Sequence, residues 1–537
     1  MIQMQLTTRL LVIAAAAAAT LATATPAFAQ AQASTEAQLR AQGKVRVLVS
    51  FRPGASAAAR SAIAAAGGRV VVDLGSINAV AVEIPSAALA GLQRNPSIEF
   101  VEEDAVRRTF RRPASLAAPG AAAAPSPTAQ QVPYGIGMVQ ADKVSDSLAT
   151  GRKLCIIDSG IDGAHEDLAG VTMDGTNLTR SGSWYTDENS HGTHVAGTVA
   201  AINNTVGVVG VMPNRKISLY IAKVFDAAGT ASSSVVARAM LACRDAQANV
   251  VSMSLGGGSA TKVEERAVGE LAKANILAIA AAGNDGNGTV SYPAGFASVV
   301  SVAAIDSQKN VASFSQFNSD VELAGPGVDV LSTVPAGSQL GATVVVGTSP
   351  YTAQGMENSV FGSATGPLAD FGLGETAAAG SMSGKVCLIQ RGNISFAQKV
   401  VNCQNSGGVA AVIYNNTTGE VNGTLGTTVT AIPAVGTLQA NGEAMLKQLG
   451  QSTTVSVFKS PDLYAYFDGT SMATPHVSAV AALVWSYYPH CTASEMRVTL
   501  DNSALDLGAK GRDIHTGFGL VQAKAAHDRI GRLGCGK

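Results

Sequence analysis

The most informative segment of the chain is Gly469-Thr470-Ser471-Met472-Ala473-Thr474-Pro475-His476, and a mostly apolar run from Val477 to Trp485 follows it. This pattern predicts a turn that leads into a buried helix, with Ser471 near the helix N-terminus. Backbone N–H groups at that end of a helix can stabilise negative charge on a carbonyl under attack. Because serine is also common at such turns as a cap, a nucleophilic Ser471 requires a base and an orienting group elsewhere in the chain.

Two further motifs contain the groups that such a serine needs. The segment Ser190-His191-Gly192-Thr193-His194 places a histidine before a helix of small residues, and histidine is the usual general base because its pKa lies near neutrality. Asp158 ends an apolar strand-like run. Open α/β sheets bind ligands at the carboxyl ends of their strands, so we expect Asp158 to orient His191 and to stabilise its imidazolium form. Taken singly, Asp158 is also typical of a turn and His191 of a structural histidine.

The chain order Asp158, His191, Ser471 is the order found in subtilisin, and it differs from the order in chymotrypsin and in the α/β-hydrolases. The chain resembles the subtilisin-like serine proteases, or subtilases, over residues 129–335 and 460–530. Three motifs carry the resemblance: Ile157-Asp158-Ser159-Gly160, His191-Gly192-Thr193-His194 and Gly469-Thr470-Ser471-Met472-Ala473. The resemblance implies a serine endopeptidase that cleaves protein and peptide substrates through an acyl-enzyme.

Asn284 lies in the segment Ala282-Gly283-Asn284-Asp285-Gly286, directly after another apolar run. By the resemblance, Asn284 stabilises the oxyanion together with the backbone N–H of Ser471; in subtilisin itself, loss of this donor costs about 10²–10³ in kcat. The alternative is an ordinary turn, of which Asn-Asp-Gly is typical. His194 and His476 are interpreted as structural, since the glutamate of the H-E-x-x-H zinc motif is lacking. We therefore expect no catalytic metal.

The chain of 537 residues is too long for one ordinary domain. The resemblance implies an α/β fold, a mostly parallel sheet with helices on both faces, accompanied by a small α+β propeptide and an inserted β-rich protease-associated (PA) module. The apolar runs that alternate with helical stretches agree with it. We expect the following units: signal peptide 1–29, inhibitor-type propeptide 30–110, linker 111–128, catalytic domain 129–335 and 461–537, and PA module 336–460.

The N-terminal segment indicates an exported protein, and the composition gives no sign of a nucleic-acid or membrane-surface partner. Charged residues make up only 14% and the net charge is −1, so there is no electrostatic case for binding nucleic acid or a membrane surface. Arg9, an apolar run from Leu10 to Leu21 and Ala27-Phe28-Ala29 form a signal-peptide pattern, and no other segment has the unbroken apolar length of a membrane-spanning helix. We expect a secreted monomer.

Six cysteines in an exported chain suggest three disulfides, although six cysteines allow fifteen pairings. Local grouping favours Cys387–Cys403 and Cys491–Cys535. That leaves Cys155, on the Asp158 strand, with Cys243, on a helix that would pack against this strand in the subtilase fold. The alternative is free buried thiols.

The segment 30–110 resembles the inhibitor-type propeptide of subtilases, which assists folding and then blocks the active site; an unrelated binding domain is the alternative. Residues 113–128 are rich in Ala, Pro and Ser and form a linker, which is a natural region for cleavage. Since Ala129-Gln130-Gln131-Val132-Pro133 resembles the mature N-terminus of bacterial subtilisins, we predict maturation near Thr128–Ala129. Two functions of the PA module remain equal alternatives: it guides substrates or partners, or it is a passive lid.

The substrate groove is predicted from the strand Val250–Leu255 and the glycines that follow it. By resemblance, Ser254, Leu255 and Gly256 pair with the substrate backbone and form one pocket wall, where glycine permits close approach of an extended peptide. Ser291 would be the floor of the pocket for the residue before the cleaved bond. An uncharged serine there predicts broad specificity for apolar or medium-sized side chains, and no acidic patch for dibasic sites is evident.

The segment Ile202-Asn203-Asn204-Thr205-Val206-Gly207-Val208 resembles the high-affinity calcium loop of subtilisins. Calcium binds side-chain and backbone oxygens, so even the apolar residues could contribute carbonyls. An Asn-rich turn without metal is the alternative. The predicted ligand set is Gln130, Asp167, Ile202, Asn204, Val206 and Val208.

Two other functions remain as alternatives to a broad-specificity, self-maturing endopeptidase. One is a precursor-processing protease of narrow specificity. The other is a non-catalytic binding protein on the same fold, which the intact set Asp158, His191, Asn284 and Ser471 disfavours.

Overall fold

The computed structural model describes residues 38–110, 112–113, 129–417, 421, 423–426 and 428–537. The predicted signal segment 1–29, nearly all of the predicted linker and Thr128 of the predicted maturation bond lie outside the described residues. Among the described residues, no helix combines the length and apolar character that crossing a membrane requires.

A seven-stranded parallel sheet forms the centre of the largest domain, in the order β15-β14-β13-β11-β7-β9-β8. Its strands are β7 (Lys153–Asp158), β8 (Thr172–Asn177), β9 (Ser218–Lys223), β11 (Val250–Met253), β13 (Leu277–Ala281), β14 (Val299–Ile305) and β15 (Val321–Pro326). From β7 the chain crosses to the edge strand β8 and returns to β9 between them, whereas from β11 it proceeds strand by strand to the other edge at β15. The topological switch point, where open α/β sheets bind their ligands, therefore lies between β7 and β11.

Both faces of this sheet are buried, which is why its central strands are continuous apolar runs. Alternate residues point to opposite faces: Leu154 and Ile156 of β7 belong to one hydrophobic core, whereas Cys155 and Ile157 belong to the other. The helices are α3 (Tyr134–Met138), α4 (His191–Ala200), α5 (Ser233–Asp245), α6 (Lys262–Lys273), α9 (Thr470–Tyr487), α10 (Ala493–Ser503) and α11 (Ala523–Leu533). The predicted α/β fold is confirmed.

The N-terminal domain is a four-stranded antiparallel sheet, in the order β2-β3-β1-β4, with two helices. Its elements are β1 (Lys44–Phe51), α1 (Ser56–Ala65), β2 (Arg69–Leu74), β3 (Ala79–Pro85), α2 (Leu89–Gln93) and β4 (Ile98–Glu103). One face covers the domain's own core, and the other contributes Leu48, Leu74 and Ala81 to the core beneath α5 and α6. The domain is thus packed directly on the parallel-sheet domain.

Several short strands connect these domains. The chain leaves β4 and forms β5 (Val106–Thr109) and β6 (Arg112–Pro113), while the parallel-sheet domain supplies β10 (Thr230–Ser232), β12 (Leu255–Gly256), β16 (Val330–Thr333) and β25 (Tyr464–Asp468). β5 lies between β10 and β12, and β6 pairs with β25.

The insertion between β16 and β25 is a separate mixed sheet of eight strands, in the order β18-β17-β24-β20-β21-β22-β23-β19, with cores on both sides. Its elements are β17 (Gln339–Val346), β18 (Ser349–Tyr351), β19 (Gln354–Gly355), β20 (Gly362–Asp370), β21 (Val386–Gln390), α7 (Phe396–Asn405), β22 (Ala410–Tyr414), β23 (Ala434–Thr437), α8 (Gln439–Leu446) and β24 (Ser452–Ser460). The predicted β-rich module is confirmed.

All three predicted disulfides are present, which excludes the alternative of free buried thiols. Cys155–Cys243 joins β7 to α5, Cys387–Cys403 joins β21 to α7, and Cys491–Cys535 joins the two C-terminal helical segments. Two of them therefore cross-link the parallel-sheet domain, and the third cross-links the insertion.

Candidate active site

Asp158 and His191 meet at the carboxyl end of β7. Both side chains are fully buried, and Nδ1 of His191 lies 2.8 Å from Oδ1 of Asp158. The other carboxylate oxygen of Asp158 and Nε2 of His191 make no hydrogen bond to any described residue. The ring is therefore held through one nitrogen, and the other nitrogen is left to receive a proton.

A buried carboxylate that the sequence analysis missed, Asp187, positions His191. Oδ1 of Asp187 accepts hydrogen bonds from the Ser159 hydroxyl and the Ser190 N–H, and Oδ2 accepts from the N–H and hydroxyl of Thr193, all at 2.7–2.9 Å. The negative charge lies at the N-terminus of α4, where the helix dipole favours it. Burial raises the pKa of Asp187. Its only sequence signal is its position four residues before the histidine.

Ser471 is the second residue of α9, and this helix is buried continuously from Thr470 to Ser486. In this structure the Ser471 hydroxyl donates to the carbonyl of Ser254 at 2.9 Å, and the Ser254 hydroxyl donates to the carbonyl of Ser471 at 2.7 Å. These two bonds attach the start of α9 to the end of β11. Ser471, attached to the end of β11, and the Asp158–His191 pair, at the end of β7, therefore lie beside the two strands that flank the switch point.

Asn284 contacts both the start of α9 and the segment that follows β5. Its Oδ1 accepts from the N–H and hydroxyl of Thr470, both at 2.9 Å, while its Nδ2 donates to the carbonyl of Phe110 at 2.8 Å. Gly469, with φ of +154°, allows this approach, because a Cβ there would lie 2.4 Å from the same carbonyl oxygen. The Phe110 carbonyl thus occupies a site with a fixed amide donor, as an oxyanion site requires.

The cleft segment, residues 106–110, lies in the groove as an extended peptide. Leu255 pairs with Thr109 and Gly256 with Arg108 on one side, and Thr230 pairs with Arg108 on the other. The predicted strand residues therefore do pair with a peptide backbone, in the β-augmentation mode.

The aromatic ring of Phe110 and the hydroxyl of Ser291 both lie close to Gly256. A Cβ on Gly256 would lie 2.6 Å from both Phe110 Cε2 and Ser291 Oγ, so only glycine leaves room for the ring. Ser254, by contrast, contacts Ser471 rather than the peptide side chain. On the far side of the Phe110 carbonyl, the backbones of Arg112 and Pro113 pair with Asp468 and Phe467. Described backbone therefore lies in the cleft on both sides of the Phe110 carbonyl.

His194 and His476 have structural surroundings, as expected. Nε2 of His194 lies 3.0 Å from the carbonyl of Val330, and its ring stacks on Phe467. Nδ1 of His476 lies 2.7 Å from the carbonyl of Met472, and burial lowers the pKa of His476 to about 4. The two rings lie on the helices that carry His191 and Ser471.

The predicted calcium ligands lie close together. Nε2 of Gln130 is 2.9 Å from the carbonyl of Ile202, 3.1 Å from Oδ1 of Asn204 and 3.5 Å from the carbonyl of Val206. The buried Asp167 carboxylate accepts from Asn204 Nδ2 at 2.6 Å and from the N–H of Val208 at 2.7 Å. Three oxygens thus converge beside a buried carboxylate, a donor set that suits calcium; Val208 itself contributes an N–H in this arrangement.

Three family models match the chain. The model described as the subtilase family matches residues 149–369 and 398–519, the PA domain matches residues 349–445, and the fervidolysin N-terminal prodomain matches residues 29–104. The first match covers the parallel-sheet domain and also much of the insertion, the second lies within the insertion, and the third corresponds to the N-terminal domain.

Curated relatives and solved structures agree with these models. Subtilisin DY of Bacillus licheniformis is 42% identical over 231 residues, which are 42% of this chain and 83% of that protein. A psychrophilic subtilisin-like protease from the Antarctic psychrotroph Pseudoalteromonas sp. AS-11 is 41% identical, with a TM-score of 0.54 over 75% of this chain and 99% of that one. Fervidolysin from Fervidobacterium pennivorans, at 21% identity and a TM-score of 0.58 over 90% of this chain and 61% of its own, shows likeness of fold alone.

Proposed function

The chain belongs to the subtilase family of serine peptidases, and from this premise we propose that it is a secreted endopeptidase that first cleaves its own N-terminal domain at the bond after Phe110. The observation that carries the proposal is the 2.8 Å hydrogen bond from Asn284 Nδ2 to the Phe110 carbonyl. It supports Phe110 as the residue before the cleaved bond. The maturation predicted near Thr128–Ala129 then becomes a later trimming of the linker.

The proposed chemistry follows from the residues around that carbonyl. Ser471 Oγ attacks the carbonyl carbon, and His191 Nε2 takes the hydroxyl proton while Asp158 holds Nδ1. Asn284 and the Ser471 N–H stabilise the oxyanion. The C–N bond then breaks as His191 returns the proton to the leaving amine, which leaves an ester on Ser471. Water hydrolyses the ester by the same route, and Phe110 becomes a carboxyl terminus.

After cleavage, the N-terminal domain is proposed to remain in place as an inhibitor. Its cleft segment occupies the groove in which an extended substrate would pair with Leu255 and Gly256. An external protein substrate can enter only when this segment leaves. The ring of Phe110 beside Gly256 and Ser291 supports the predicted preference for apolar side chains before the cleaved bond.

Expression of the full chain and of Ser471→Ala tests this function. The wild type is expected to lose the N-terminal domain at Phe110 and to hydrolyse casein, whereas the variant stays intact and inactive; intact mass and N-terminal sequencing identify the bond. Activity of Ser471→Ala would contradict the mechanism. Equal processing of both proteins without casein hydrolysis would instead favour an external processing protease and the binding-protein alternative.

We further propose that the loop around Asn204 binds calcium through Asp167, Asn204 and the carbonyls of Ile202 and Val206. If the Gln130 side-chain amide rotated by about 180°, its oxygen would face the position where the oxygens of Ile202, Asn204 and Val206 converge. A ligand that binds only the folded state adds about 2.7 kcal/mol at 100 times its Kd, roughly 5–10 °C in Tm for a domain of this size. EDTA should therefore lower the Tm of the wild type and leave the Tm of Asp167→Asn unchanged. If the wild type has the same Tm with calcium and with EDTA, the calcium site is refuted.

A further inference from the structure

A buried ion pair joins the cleft segment to the groove. The Arg107 and Glu264 side chains are both fully buried. Arg107 Nε lies 3.0 Å from Oε1 and Nη2 lies 2.5 Å from Oε2 of the carboxylate, and Nη2 also donates to the carbonyl of Ser259 at 2.8 Å. This paired arrangement matches the planar fork of a guanidinium, which an ammonium group cannot reproduce.

The position of Arg107 relative to the Phe110 carbonyl defines the subsite. Counting back from Phe110 as the first residue, Arg107 is the fourth, and it pairs with Ala231 of β10. Because side chains alternate along a strand, Arg107 points into the groove whereas its neighbour Arg108 is exposed. The cleft segment therefore contains two neighbouring arginines: Arg107 is paired in the groove, and the exposed Arg108 serves as a matched control.

Helix capping does not explain the orientation of the Glu264 side chain. The segment Thr261-Lys262-Val263-Glu264 has the capping-box pattern at the start of α6, yet only the Thr261 half of that box forms, at 3.3 Å. In Thr492-Ala493-Ser494-Glu495, at the start of α10, both halves form. Glu264 extends away from its helix terminus, and among the described residues its carboxylate is hydrogen-bonded only to Arg107.

Removal of the cleft segment leaves a pocket of acceptors: the Glu264 carboxylate and the Ser259 carbonyl. A carboxylate in a groove wall is costly to desolvate unless a cation pairs with it. Any substrate that lies in the groove as the cleft segment does places its fourth residue at this carboxylate. An apolar side chain there would leave the carboxylate buried and unpaired, whereas an arginine would satisfy it.

We propose that Glu264 and Ser259 form an arginine-selective subsite, so that the enzyme prefers polypeptides with arginine at the fourth residue before the cleaved bond and an apolar or aromatic residue directly before it. This inference rests on the proposed function, because it assigns a substrate class to the same groove. An arginine-selective subsite would make the enzyme more specific than the broad preference for apolar or medium-sized side chains that the sequence predicts.

Four internally quenched peptides test the subsite on the mature enzyme. The parent contains Val-Arg-Arg-Thr-Phe, as in residues 106–110; the others carry neutral citrulline at the Arg107 position, leucine at that position, or citrulline at the Arg108 position. We expect kcat/KM to fall about 10- to 100-fold for the first two changes, since a site built for a charged hydrogen bond rejects an analogue that lacks it, and less than about 3-fold for the third.

Glu264→Gln and Glu265→Gln complete the design. Both remove one negative charge from α6, but Glu265 is exposed. Glu264→Gln should reduce the discrimination at the Arg107 position to below about 3-fold, and Glu265→Gln should retain it.

Equal kcat/KM for the parent and both Arg107-position peptides in the wild type would overturn the subsite, and this comparison needs no variant to fold. Retained discrimination in Glu264→Gln would also overturn it. If the wild type cleaves neither peptides nor casein, the proposed function fails as well; casein hydrolysis without discrimination refutes the subsite alone.

Discussion

Besides the apolar contacts of Leu48, Leu74 and Ala81, the N-terminal domain contacts the parallel-sheet domain in two further regions of different construction. The first, here called the docking face, consists of Glu99, Glu102 and Asp104. The second is the cleft segment, residues 106–110. On the docking face, Glu102 accepts from the N–H groups of Lys262 and Val263 at the start of α6. The cleft segment instead uses backbone pairing, one buried side chain and the Phe110 carbonyl.

Asp104 completes the docking face at the start of α5. It accepts from the Ser234 N–H at 2.8 Å and from the Ser233 and Ser234 hydroxyls at 3.0 and 2.7 Å. Carboxylates at helix N-termini are stabilised whether or not a peptide bond nearby is intact. The contacts that attach the N-terminal domain are therefore physically separate from the contacts at the Phe110 carbonyl. The docking face should hold the domain before and after cleavage, whereas the cleft segment should determine whether and where the chain is cut.

The largest effect is expected at the end of the cleft segment. Asn284→Ala removes the amide donor to the Phe110 carbonyl but touches no residue of the docking face, so self-cleavage should slow by about 10²–10³-fold, the loss known for this donor in subtilisin. Time-resolved intact mass of the precursor measures it. A variant that matures at the wild-type rate would contradict the role of Asn284.

The next effect distinguishes the two arginines of the cleft segment. In the precursor, Arg107→Ala leaves Glu264 buried without its cation and should slow self-cleavage by about 10-fold or more. Arg108→Ala, at an exposed position, should change the rate by less than about 3-fold. The same time course measures both. Equal rates for the two variants would show that side chains of the cleft segment do not position the bond.

A smaller effect is expected from the docking face. Asp104→Asn keeps the size of the side chain but removes the charge at the start of α5, an interaction of roughly 1–2 kcal/mol in a buried setting. After cleavage, the N-terminal domain should dissociate about 5- to 30-fold more readily, as followed by the appearance of activity on dilution. The bond cleaved should not change; a shifted cleavage site would break the proposed separation of the two regions.

The smallest effect concerns pH. The hydrogen bond from Arg266 holds the pKa of Glu99 below its ordinary value of 4.5. Since the attached state has the lower pKa, the contribution of Glu99 to attachment is complete above pH 4.5 and is lost as pH falls through the lowered pKa. Retention of the cleaved domain should weaken slightly as the pH falls from 5 through that lowered pKa. In Glu99→Gln this part of the pH dependence should disappear, and an unchanged profile would exclude Glu99 as its source.

Much of the candidate site could be predicted because each group lies in a short contiguous motif. Asp158, His191, Asn284 and Ser471 each follow a strand or start a helix, and a parallel sheet brings such positions to one edge. The three disulfide pairings and the clustering of the calcium ligands were likewise recognisable. Glu264 was not, because a Thr-x-x-Glu pattern is the ordinary signature of a helix start.

Local patterns in the sequence account for the elements of the chain: the period of its apolar residues specifies strands and helices, and the order of its motifs specifies the family. The occupant of the groove, in contrast, depends on contacts between distant parts of the chain. Arg107 and Glu264 are separated by 157 residues, and nothing local marks either as a partner of the other. Their pairing arises because β5 inserts between β10 and β12 and buries one arginine while exposing the next. Long-range burial creates such a contact, and local sequence patterns do not record it.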